Sequence, residues 1–390
     1  MSAKEITIGI DVTRARRENR GIPIYTRNIL NEWGALGRHD LKFRLFKYSD
    51  DRDASCFGIK DADIARLPFS GHYYPWIRIF QEQIIYPYIQ TMSRLEVFWH
   101  PQNHAQLLNP VPYVCSIHDT LPLAAPELSQ DLDTPDTATL YRSRVKSARH
   151  ASRIITVSEF SRREICHHIG VPQNRVVAIP NGINHEIFNK QVSRGKINTI
   201  REKYGIPPKY LLTVGSYAPH KNLPFLVDAY SRSHLVDYGY SLVMVGPKDE
   251  TVYTSDSISL EMMVAQLNLT KNVFMLPAVP VDDLVAIYSG ASIFAITSLY
   301  EGFGFPPLEA MACGVPVVSS NVTSLPEVCG DCALYADPKD PLTFTDQLDL
   351  LARDDSLRSE LAVLGADHVQ QFTWAKSARL TLDVLLKSTR

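Results

Sequence analysis

The sequence has 390 residues, enough for two domains of ordinary size, and 45% of them are hydrophobic and 21% charged. This composition predicts a folded protein, because disordered chains have fewer apolar residues and a larger net charge. Lysine and arginine number 40 against 42 acidic residues, a formal net charge of −2, which argues against the basic excess typical of nucleic-acid-binding proteins.

Two further properties of the sequence bear on location and metal content. No segment approaches the roughly 18 consecutive apolar residues of a membrane span, and residues 1–11 lack the apolar region of a signal peptide. We therefore expect a cytoplasmic protein.

Cys329 and Cys332 form a C-x2-C pair, but no second pair or histidine follows at zinc-finger spacing. We expect a turn there and no metal site.

Candidate strands alternate with helical segments along the chain, which is the pattern of doubly wound α/β domains. In the first half, a helix is predicted over 26–36, and the predicted strands are 6–10, 97–99, 113–117, 153–157 and 175–179. The pattern then restarts, with predicted strands at 210–215, 241–246, 273–276, 292–297, 316–319 and 333–336. The polar, poorly periodic stretch 189–205 lies between the two series, so we place the linker there.

Residues 300–318, Tyr-Glu-Gly-Phe-Gly-Phe-Pro-Pro-Leu-Glu-Ala-Met-Ala-Cys-Gly-Val-Pro-Val-Val, predict a glycine-bearing loop and a short helix after the strand 292–297. Pro307 suits the first helical position and Gly314 suits a left-handed residue after the helix. Backbone N–H groups of such a loop, together with the helix N-terminus, favour phosphate or an array of hydroxyls. Glu309 is predicted in the first turn, where a carboxylate can accept two hydrogen bonds from a vicinal diol.

Glu301 and Glu309 are separated by seven residues, and in this surrounding sequence they resemble the E-x7-E signature of retaining glycosyltransferases of family 4. The resemblance extends along nearly the whole chain. It implies the GT-B fold, in which two Rossmann-like doubly wound α/β domains face a central cleft. The N-terminal domain, 1–188, would bind the acceptor, and the C-terminal domain, 206–371, would bind the nucleotide sugar.

The same resemblance implies that a C-terminal helix within 372–390, announced by Phe372-Thr-Trp374, crosses back to the N-terminal domain. The alternative is a helix that packs wholly on its own domain.

Breaking the glycosidic bond of a nucleotide sugar requires stabilisation of the charge on the departing diphosphate, by a metal ion or by cationic side chains and helix N-termini. The three Asp-x-Asp sequences, at 51–53, 61–63 and 131–133, have polar, turn-like contexts and are interpreted as solvated surface. We therefore expect no metal and no cofactor.

The resemblance assigns the donor diphosphate to three groups. The first is Lys221, in the loop Gly-Ser-Tyr-Ala-Pro-His-Lys that begins at 215, with Ser216 where many relatives have arginine. The second is Gly21, in a loop where many relatives have a second glycine at the place of Pro23. The third is the backbone of 302–305.

The resemblance also assigns the other parts of the donor. Glu301 would bind hydroxyls of the transferred sugar, backed by N–H groups of Phe303, Gly304 and Phe305, while Gly302 belongs to the same donor-binding loop. Glu309 would bind the nucleotide ribose.

His118 follows the strand 113–117 at its carboxyl end, where ligands of α/β proteins bind. It resembles the family's cleft histidine, near the transferred sugar and the acceptor. The alternative is a structural hydrogen bond between His118 and the adjacent Asp119. Ser158 and Asn181-Gly182 are weaker candidates for cleft-lining and hinge positions.

The resemblance implies a retaining, metal-independent glycosyltransferase that transfers a hexose from a nucleotide-diphosphate sugar, with GDP-mannose and UDP-glucose as the expected donors. The expected acceptor is a saccharide or lipid-linked saccharide in surface polysaccharide biosynthesis. Alternatives are a nucleotide-sugar 2-epimerase and a non-catalytic nucleotide-sugar-binding partner of a polysaccharide assembly complex. A dehydrogenase is disfavoured, because no G-x-G-x-x-G lies between the first strand and helix.

The segment 73–95 is rich in aromatic and branched apolar residues. We interpret it as a core helix of the N-terminal domain. A helix that contacts the membrane surface is the alternative, with few cationic residues to attract anionic lipids.

Overall fold

Parallel β-sheets organise both halves of the chain. The computed structural model describes residues 5–13, 15, 21–49, 58–59, 62–68, 80–103, 105–106, 108–129, 145–247 and 255–389. They form two units, the first from the described parts of 1–124, 131–182 and 372–390, and the second from those of 125–130 and 183–371. The predicted α/β class is confirmed.

The first unit contains, within its described residues, a seven-stranded parallel sheet in the order β3-β2-β1-β4-β5-β6-β7. Its strands are β1 (Ile6–Asp11), β2 (Leu41–Tyr48), β3 (Asp63–Leu67), β4 (Val97–His100), β5 (Tyr113–Ser116), β6 (Arg153–Thr156) and β7 (Val176–Ala178). Its helices are α1 (Gly21–Ala35), α2 (Tyr86–Met92, preceded by a π-helical turn Gln81–Ile85), α3 (Leu121–Ala124), α4 (Glu159–Ile169) and α13 (Trp374–Leu386), with 3-10 turns Ala148–His150 and Gln173–Arg175.

The second unit contains, in the part of the chain that is described, a six-stranded parallel sheet in the order β10-β9-β8-β11-β12-β13. Its strands are β8 (Tyr210–Val214), β9 (Ser241–Val245), β10 (Val273–Leu276), β11 (Ile293–Ile296), β12 (Val317–Ser320) and β13 (Ala333–Ala336). Its helices are α5 (Arg194–Tyr204), α6 (Leu223–Arg232), α7 (Ser255–Gln266), α8 (Val281–Gly290), α9 (Phe305–Ala312), α10 (Leu325–Cys329), α11 (Pro341–Arg353) and α12 (Asp355–His368), with 3-10 turns Pro126–Leu128, Pro219–Lys221, Gly330–Cys332 and Val369–Gln371.

The strand order of each sheet creates one point where the direction of winding reverses. In the first sheet this point lies between β1 and β4, and in the second it lies between β8 and β11. Ligands of doubly wound proteins bind beyond the carboxyl ends of the strands at such a switch point. We therefore expect a site of the second unit in the loops that follow β8 and β11.

The C-terminal helix α13 packs within the first unit. Thr373 caps it by accepting a hydrogen bond from the N–H of Lys376, and Trp33 of α1 donates its indole N–H to the carbonyl oxygen of Ala378 at 2.9 Å. A Cβ at Gly182 would lie 2.2 Å from the backbone nitrogen of Trp374, so the two segments approach closely only because residue 182 is glycine.

The expected linker 189–205 differs from the observed organisation. The division between the units falls at Gly182–Ile183, and Phe188 already packs in the second unit, with its ring 6.0 Å from that of Tyr288. Residues 194–204 form helix α5, which begins at the cap Ser193 and ends at left-handed Gly205. The end residues stabilise this helix, because Ile200 alone is buried in it.

Other expectations also need correction. Helix α1 begins at Gly21, five residues earlier than predicted, and strands β2 and β3 were missed. Of the aspartates in the three Asp-x-Asp sequences, only Asp63 is described, and it opens β3 instead of lying in a turn. The remaining aspartates lie outside the described residues, and they are Asp51, Asp53, Asp61, Asp131 and Asp133.

Among the described residues, no helix combines the length and apolarity that crossing a bilayer requires.

Candidate functional site

The loop between β11 and α9 has a backbone that requires glycine at one position. Gly304 has φ of +121°, a value that L side chains rarely adopt, and a Cβ there would lie 3.0 Å from Cδ2 of Leu325. Helix α9 begins directly afterwards at Phe305, with Pro306 in its first positions, and Gly314 follows the helix with φ of +78°. The predicted strand, glycine loop and short helix are therefore present, although the helix begins two residues before Pro307.

Glu301 is fixed in this loop by its side chain. Oε1 accepts hydrogen bonds from Nζ of Lys221 at 2.5 Å and from the hydroxyl of Ser298 at 2.7 Å. Desolvation by burial favours the protonated carboxyl, but attraction to Lys221 and these hydrogen bonds hold the pKa of Glu301 below its ordinary value. Glu301 is therefore a carboxylate with a defined orientation.

Lys221 reaches Glu301 because the loops after β8 and β11 are joined. The 3-10 turn Pro219–Lys221 follows β8, and Thr297 donates its hydroxyl to the carbonyl oxygen of Lys221 at 3.0 Å. The N–H of Leu299 bonds to the carbonyl oxygen of His220 at 2.8 Å. The two loops thus meet at the switch point of the six-stranded sheet.

His220, beside this pair, does not carry a charge at neutral pH. Desolvation and the neighbouring ammonium of Lys221 lower the pKa of His220 to about 4. The positive charge that this loop offers to an anion is therefore that of Lys221.

Glu309 has a different environment. Its Oε2 accepts a hydrogen bond from the hydroxyl of Tyr288 at 2.9 Å, and desolvation raises the pKa of Glu309 to about 7 although this bond opposes the rise. Because α9 begins at Phe305, Glu309 lies in the second turn, where the helix N-terminus helps a carboxylate less than in the predicted first turn.

His118 follows β5 in the first unit. Its Nε2 lies 3.0 Å from the carbonyl oxygen of Pro101, which can only accept, so Nε2 carries the proton and Nδ1 is the acceptor nitrogen. Burial lowers the pKa of His118 to about 4, so the ring is neutral at pH 7. Asp119 bonds to the N–H of Leu121 at 3.2 Å, and the ring of Tyr25 meets the imidazole edge-on at 4.6 Å.

The remaining predicted residues are distributed as follows. Ser216 is half-buried directly after β8, in the same loop as Lys221, and Gly302, Phe303 and Phe305 belong to the loop and helix start around Gly304. Gly21 begins α1 with φ of +46°, and apart from its chain neighbours and the backbone of α1, no atom of the described residues lies within 4 Å of the place of a Cβ.

Both weaker candidates lie in the first unit. Ser158 caps α4 by accepting the N–H of Ser161 at 3.0 Å, Asn181 is buried, and Gly182 packs against Trp374. Their cleft-lining and hinge roles stay predictions.

Four residues that the sequence did not single out complete the site in the second unit. Their side-chain hydroxyls hold Glu301, Glu309 or the loop backbone, and they are Tyr288, Ser298, Thr323 and Ser324. The pair Thr323-Ser324 follows a strand end as a hydroxyl-rich run, 319–324, which is the signal that could have indicated them.

The described residues contain no cluster of three or more His, Cys, Asp or Glu side chains that could hold a metal ion. Cys329 is buried and Cys332 half-buried, and both are free thiols.

Two family models match successive parts of the chain. Residues 20–187 match the model described as Glycosyltransferase Family 4, and residues 196–364 match that described as Glycosyl transferases group 1. The chain is 30% identical over 282 residues to an uncharacterized glycosyltransferase of Methanocaldococcus jannaschii, an alignment that covers 70% of this chain and 69% of that one. The chain belongs to the family 4 glycosyltransferases of group 1.

Other relatives of this family 4 glycosyltransferase are named as mannosyltransferases. It is 34% identical over 240 residues to O-antigen chain mannosyltransferase B of Escherichia coli, covering 61% of each chain. It is 29% identical over 276 residues to the serotype-specific mannosyltransferase WbdA of Escherichia coli, covering 69% of this chain but 33% of WbdA. The alignment thus spans a third of WbdA's length.

Solved structures confirm the GT-B fold of this family 4 glycosyltransferase. Sucrose-phosphate synthase from Thermosynechococcus elongatus superposes with a TM-score of 0.75 at 18% identity over 98% of this chain and 99% of that one. HepE from Anabaena, in complex with UDP and glucose, superposes with a TM-score of 0.74 at 17% identity over 98% of this chain and 100% of that one.

Proposed function

We propose that this protein is a retaining hexosyltransferase that uses a nucleotide-diphosphate sugar, with GDP-mannose or UDP-glucose as donor. The observation that carries the proposal is the meeting of Lys221, Glu301 and the Gly304 loop at the switch point of the second sheet. An ammonium and loop amides suit a diphosphate, and an oriented carboxylate suits sugar hydroxyls. The names of the mannosyltransferase relatives support mannose, and the HepE complex supports glucose.

In the proposed reaction, the bond between C1 of the hexose and the diphosphate oxygen breaks through a short-lived oxocarbenium-like state. An acceptor hydroxyl attacks C1 on the face that the diphosphate leaves, and its proton passes to the departing phosphate oxygen. Lys221 stabilises the charge that develops on the diphosphate. Glu301, hydrogen-bonded to Lys221 and Ser298, orients ring hydroxyls and is not a nucleophile.

No metal takes part in the proposed reaction. Lys221 and the amides of the loop and of the α9 N-terminus supply the stabilisation that a divalent cation supplies in other transferases. Activity in excess EDTA would support this proposal, and loss of activity that magnesium restores would contradict it.

The acceptor proposed here is a saccharide or a lipid-linked saccharide of a surface polysaccharide, used on the cytoplasmic side of the membrane. Peripheral contact with that membrane is part of the proposal. It is supported by an exposed apolar stripe on the helical segment that contains α2, whose residues are Phe80, Ile84, Tyr88 and Met92.

Purified protein incubated with GDP-mannose or UDP-glucose and a methyl mannoside tests the function directly. We expect nucleoside diphosphate release and an α-linked product by NMR, because the donor is α-configured and the configuration is retained. Glu301→Ala should abolish both, whereas Glu360→Ala, an exposed change on α12, should leave them unchanged. A β-linked product would contradict retention.

The same assay separates the alternatives. Release of UDP from UDP-N-acetylhexosamine without an acceptor would indicate a 2-epimerase. Donor binding without hydrolysis or transfer would indicate a non-catalytic binding partner.

A further inference from the structure

Two neighbouring hydroxyl residues hold the backbone of the loop 301–304. The N–H of Glu301 donates to Oγ1 of Thr323 at 3.2 Å. The hydroxyl of Ser324 lies 2.9 Å from the carbonyl oxygen of Glu301 and 2.7 Å from that of Phe303. Because carbonyl oxygens only accept, Ser324 donates one hydrogen to both in a three-centre bond. We call Thr323 and Ser324 the hydroxyl clamp.

The hydroxyl of Ser324 bonds to the loop and does not cap the helix that follows Ser324. It occupies the N-cap position of α10, where serine ordinarily accepts a hydrogen bond from an N–H of the first turn, yet its side chain makes no such bond. The side chain is fully buried, so solvent does not compete for the hydroxyl. A local preference is thus overridden in favour of the loop, as happens at functional sites.

The backbone of Thr323 also adopts an unfavourable conformation that serves the contact with the loop. Its φ of +59° lies in the left-handed region, which is unfavourable for a β-branched residue. Such strain persists where surrounding contacts hold it, and it concentrates at ligand sites. Here it places Oγ1 opposite the N–H of Glu301.

The clamp determines which way the peptide groups of the loop point. In a trans peptide the carbonyl and the N–H that follows it point in opposite directions, and the described residues contain no cis peptide. With the carbonyl oxygen of Phe303 directed at Ser324, the N–H of Gly304 is directed away from it. The same holds for the carbonyl of Glu301 and the N–H of Gly302.

We propose that Ser324 is a positioning residue for the donor: it holds two carbonyl oxygens away from the diphosphate sugar and thereby directs the loop N–H groups toward it. This rests on the proposed function. The clamp also fixes the backbone of Glu301, whose carboxylate then meets Lys221 and Ser298. Without the bond from Ser324, the carbonyl dipoles are free to rotate toward the donor and repel its phosphates.

Ser320 provides a matched control. Like Ser324 it is fully buried, and its hydroxyl donates to a backbone carbonyl, that of Ile296, at 3.2 Å. Ser320→Ala therefore removes a comparable hydrogen bond from the same sheet edge without touching the loop. Ser324→Thr keeps the hydroxyl and serves as the conservative variant.

The experiment measures the affinities of GDP-mannose, UDP-glucose, GMP and UMP by calorimetry, with the melting temperature as a check on folding. Ser324→Ala should bind the preferred nucleotide sugar about tenfold more weakly, because a loop N–H that is no longer held toward the donor loses its hydrogen bond to a charged phosphate. Its affinity for the corresponding monophosphate should stay within about twofold, because the loop faces the β-phosphate and sugar. Ser324→Thr should restore binding, and Ser320→Ala should lower only the melting temperature.

The outcomes distinguish the two proposals. A wild-type protein that binds neither nucleotide sugar would overturn the proposed function, and the role of Ser324 with it. A wild-type protein that binds one of them, with equal weakening of the sugar and the monophosphate in Ser324→Ala, would overturn the positioning role alone. Unchanged binding in that variant would do the same.

Discussion

Lys221 donates its ammonium hydrogen to Oε1 of Glu301 at 2.5 Å, across 80 residues of sequence. The side chains are 17% and 13% exposed, so water screens this pair less than it screens a surface pair. We assign Lys221 to the diphosphate and Glu301 to the sugar. Before the donor arrives, each therefore satisfies the other, and donor binding must share or replace this bond.

The first prediction is that substitutions of these two residues have coupled effects on the free energy of unfolding. Lys221→Met and Glu301→Gln should each destabilise the protein by about 2 kcal/mol or more, because each leaves a mostly buried group without its partner. The double variant should cost at least about 1 kcal/mol less than the sum of the two. Urea unfolding of the four proteins measures this coupling, and strictly additive effects would contradict it.

The same pair makes the free energy of unfolding depend on pH. The pKa of Glu301 is lowered in the folded protein, so its contribution to stability is present above its unfolded pKa and is lost as pH falls through the folded value. The wild type should lose stability on acidification more steeply than Glu301→Gln.

The second prediction concerns Glu309 and donor affinity. We propose that ionised Glu309 binds the ribose diol of the donor, accepting two hydrogen bonds from it, and its pKa of about 7 means that it is half protonated at pH 7. Nucleotide-sugar affinity should therefore rise with pH up to about 7 and then level off, falling about tenfold per pH unit well below that value. His118 and His220, with pKa values of about 4, do not titrate in this range.

Tyr288 provides the control for this assignment. Its hydroxyl donates to Glu309 and lowers the carboxyl pKa, so Tyr288→Phe should move the midpoint of donor affinity to higher pH. Neither Tyr288 nor Cys313, the titratable neighbours of Glu309, ionises near pH 7, because burial raises both pKa values. Calorimetry with the intact nucleotide sugar from pH 5.5 to about 8.5 measures the shift. A midpoint that is the same in both proteins would argue against Glu309.

The third prediction is that Glu309 lowers stability at high pH. Its folded pKa lies above its unfolded value, so the linked stability is fully present below the unfolded pKa and is lost as pH rises through about 7. Glu309→Gln should raise the melting temperature at pH 8 and change it little at pH 4.5, while donor binding falls. A variant that is destabilised equally at both values would show that the carboxylate is a structural group.

Much of the second sheet was predictable because its central strands are buried on both faces. Strands β8, β9 and β11 are mostly apolar, β12 opens with two valines, and each predicted bound lies within one residue of the observed one. The sequence analysis missed strand β2, Leu41–Tyr48, in which apolar and charged residues alternate. One of the charged residues, Lys47, is buried. Alternation over 41–45 is the signal of a strand with one buried face, whereas Leu45, Phe46 and Lys47 are buried in succession, so the observed strand is covered on both faces there.

The site was predictable in part for a related reason. A motif local in sequence identified the loop around Gly304, because glycine at positive φ and proline at a helix start are local requirements. The contact between Lys221 and Glu301 depends on β8 lying next to β11, and strand order cannot be obtained from spacing. The clamp residue Ser324 was missed because its hydroxyl departs from its local role as a cap.

The fourth prediction concerns a buried carboxylate in the first unit. Oδ1 of Asp11 accepts hydrogen bonds from the N–H of Thr13 at 3.0 Å and from its hydroxyl at 2.6 Å, and Oδ2 lies 3.7 Å from Nδ1 of His100. Burial opposes ionisation, yet these partners keep the pKa of Asp11 below its ordinary value. Asp11→Ala should cost about 3 kcal/mol in urea unfolding. Asp63→Ala, at an exposed strand start, should cost little, and a similar loss in both would contradict the assignment.

The fifth prediction concerns the apolar stripe on the helical segment that contains α2. Phe80, Ile84, Tyr88 and Met92 recur every four residues, so they share one face, and they are 54%, 54%, 63% and 63% exposed. Tyr86 and Gln90 are buried on the other side. Residues 73–79 of the expected core helix lie outside the described residues, and over 80–92 it is core on one face only.

Flotation with liposomes tests whether this stripe contacts lipid. Wild-type protein should float with zwitterionic as well as anionic vesicles, because the stripe is apolar and binding through it does not depend on charge. Tyr88→Ser combined with Met92→Ser should remain in the dense fraction. Leu342→Ser, which removes an apolar side chain that is 62% exposed in the second unit, should float like the wild type. Equal flotation of all three proteins would show that the stripe is not the contact, and sedimentation of the wild type would argue against membrane contact altogether.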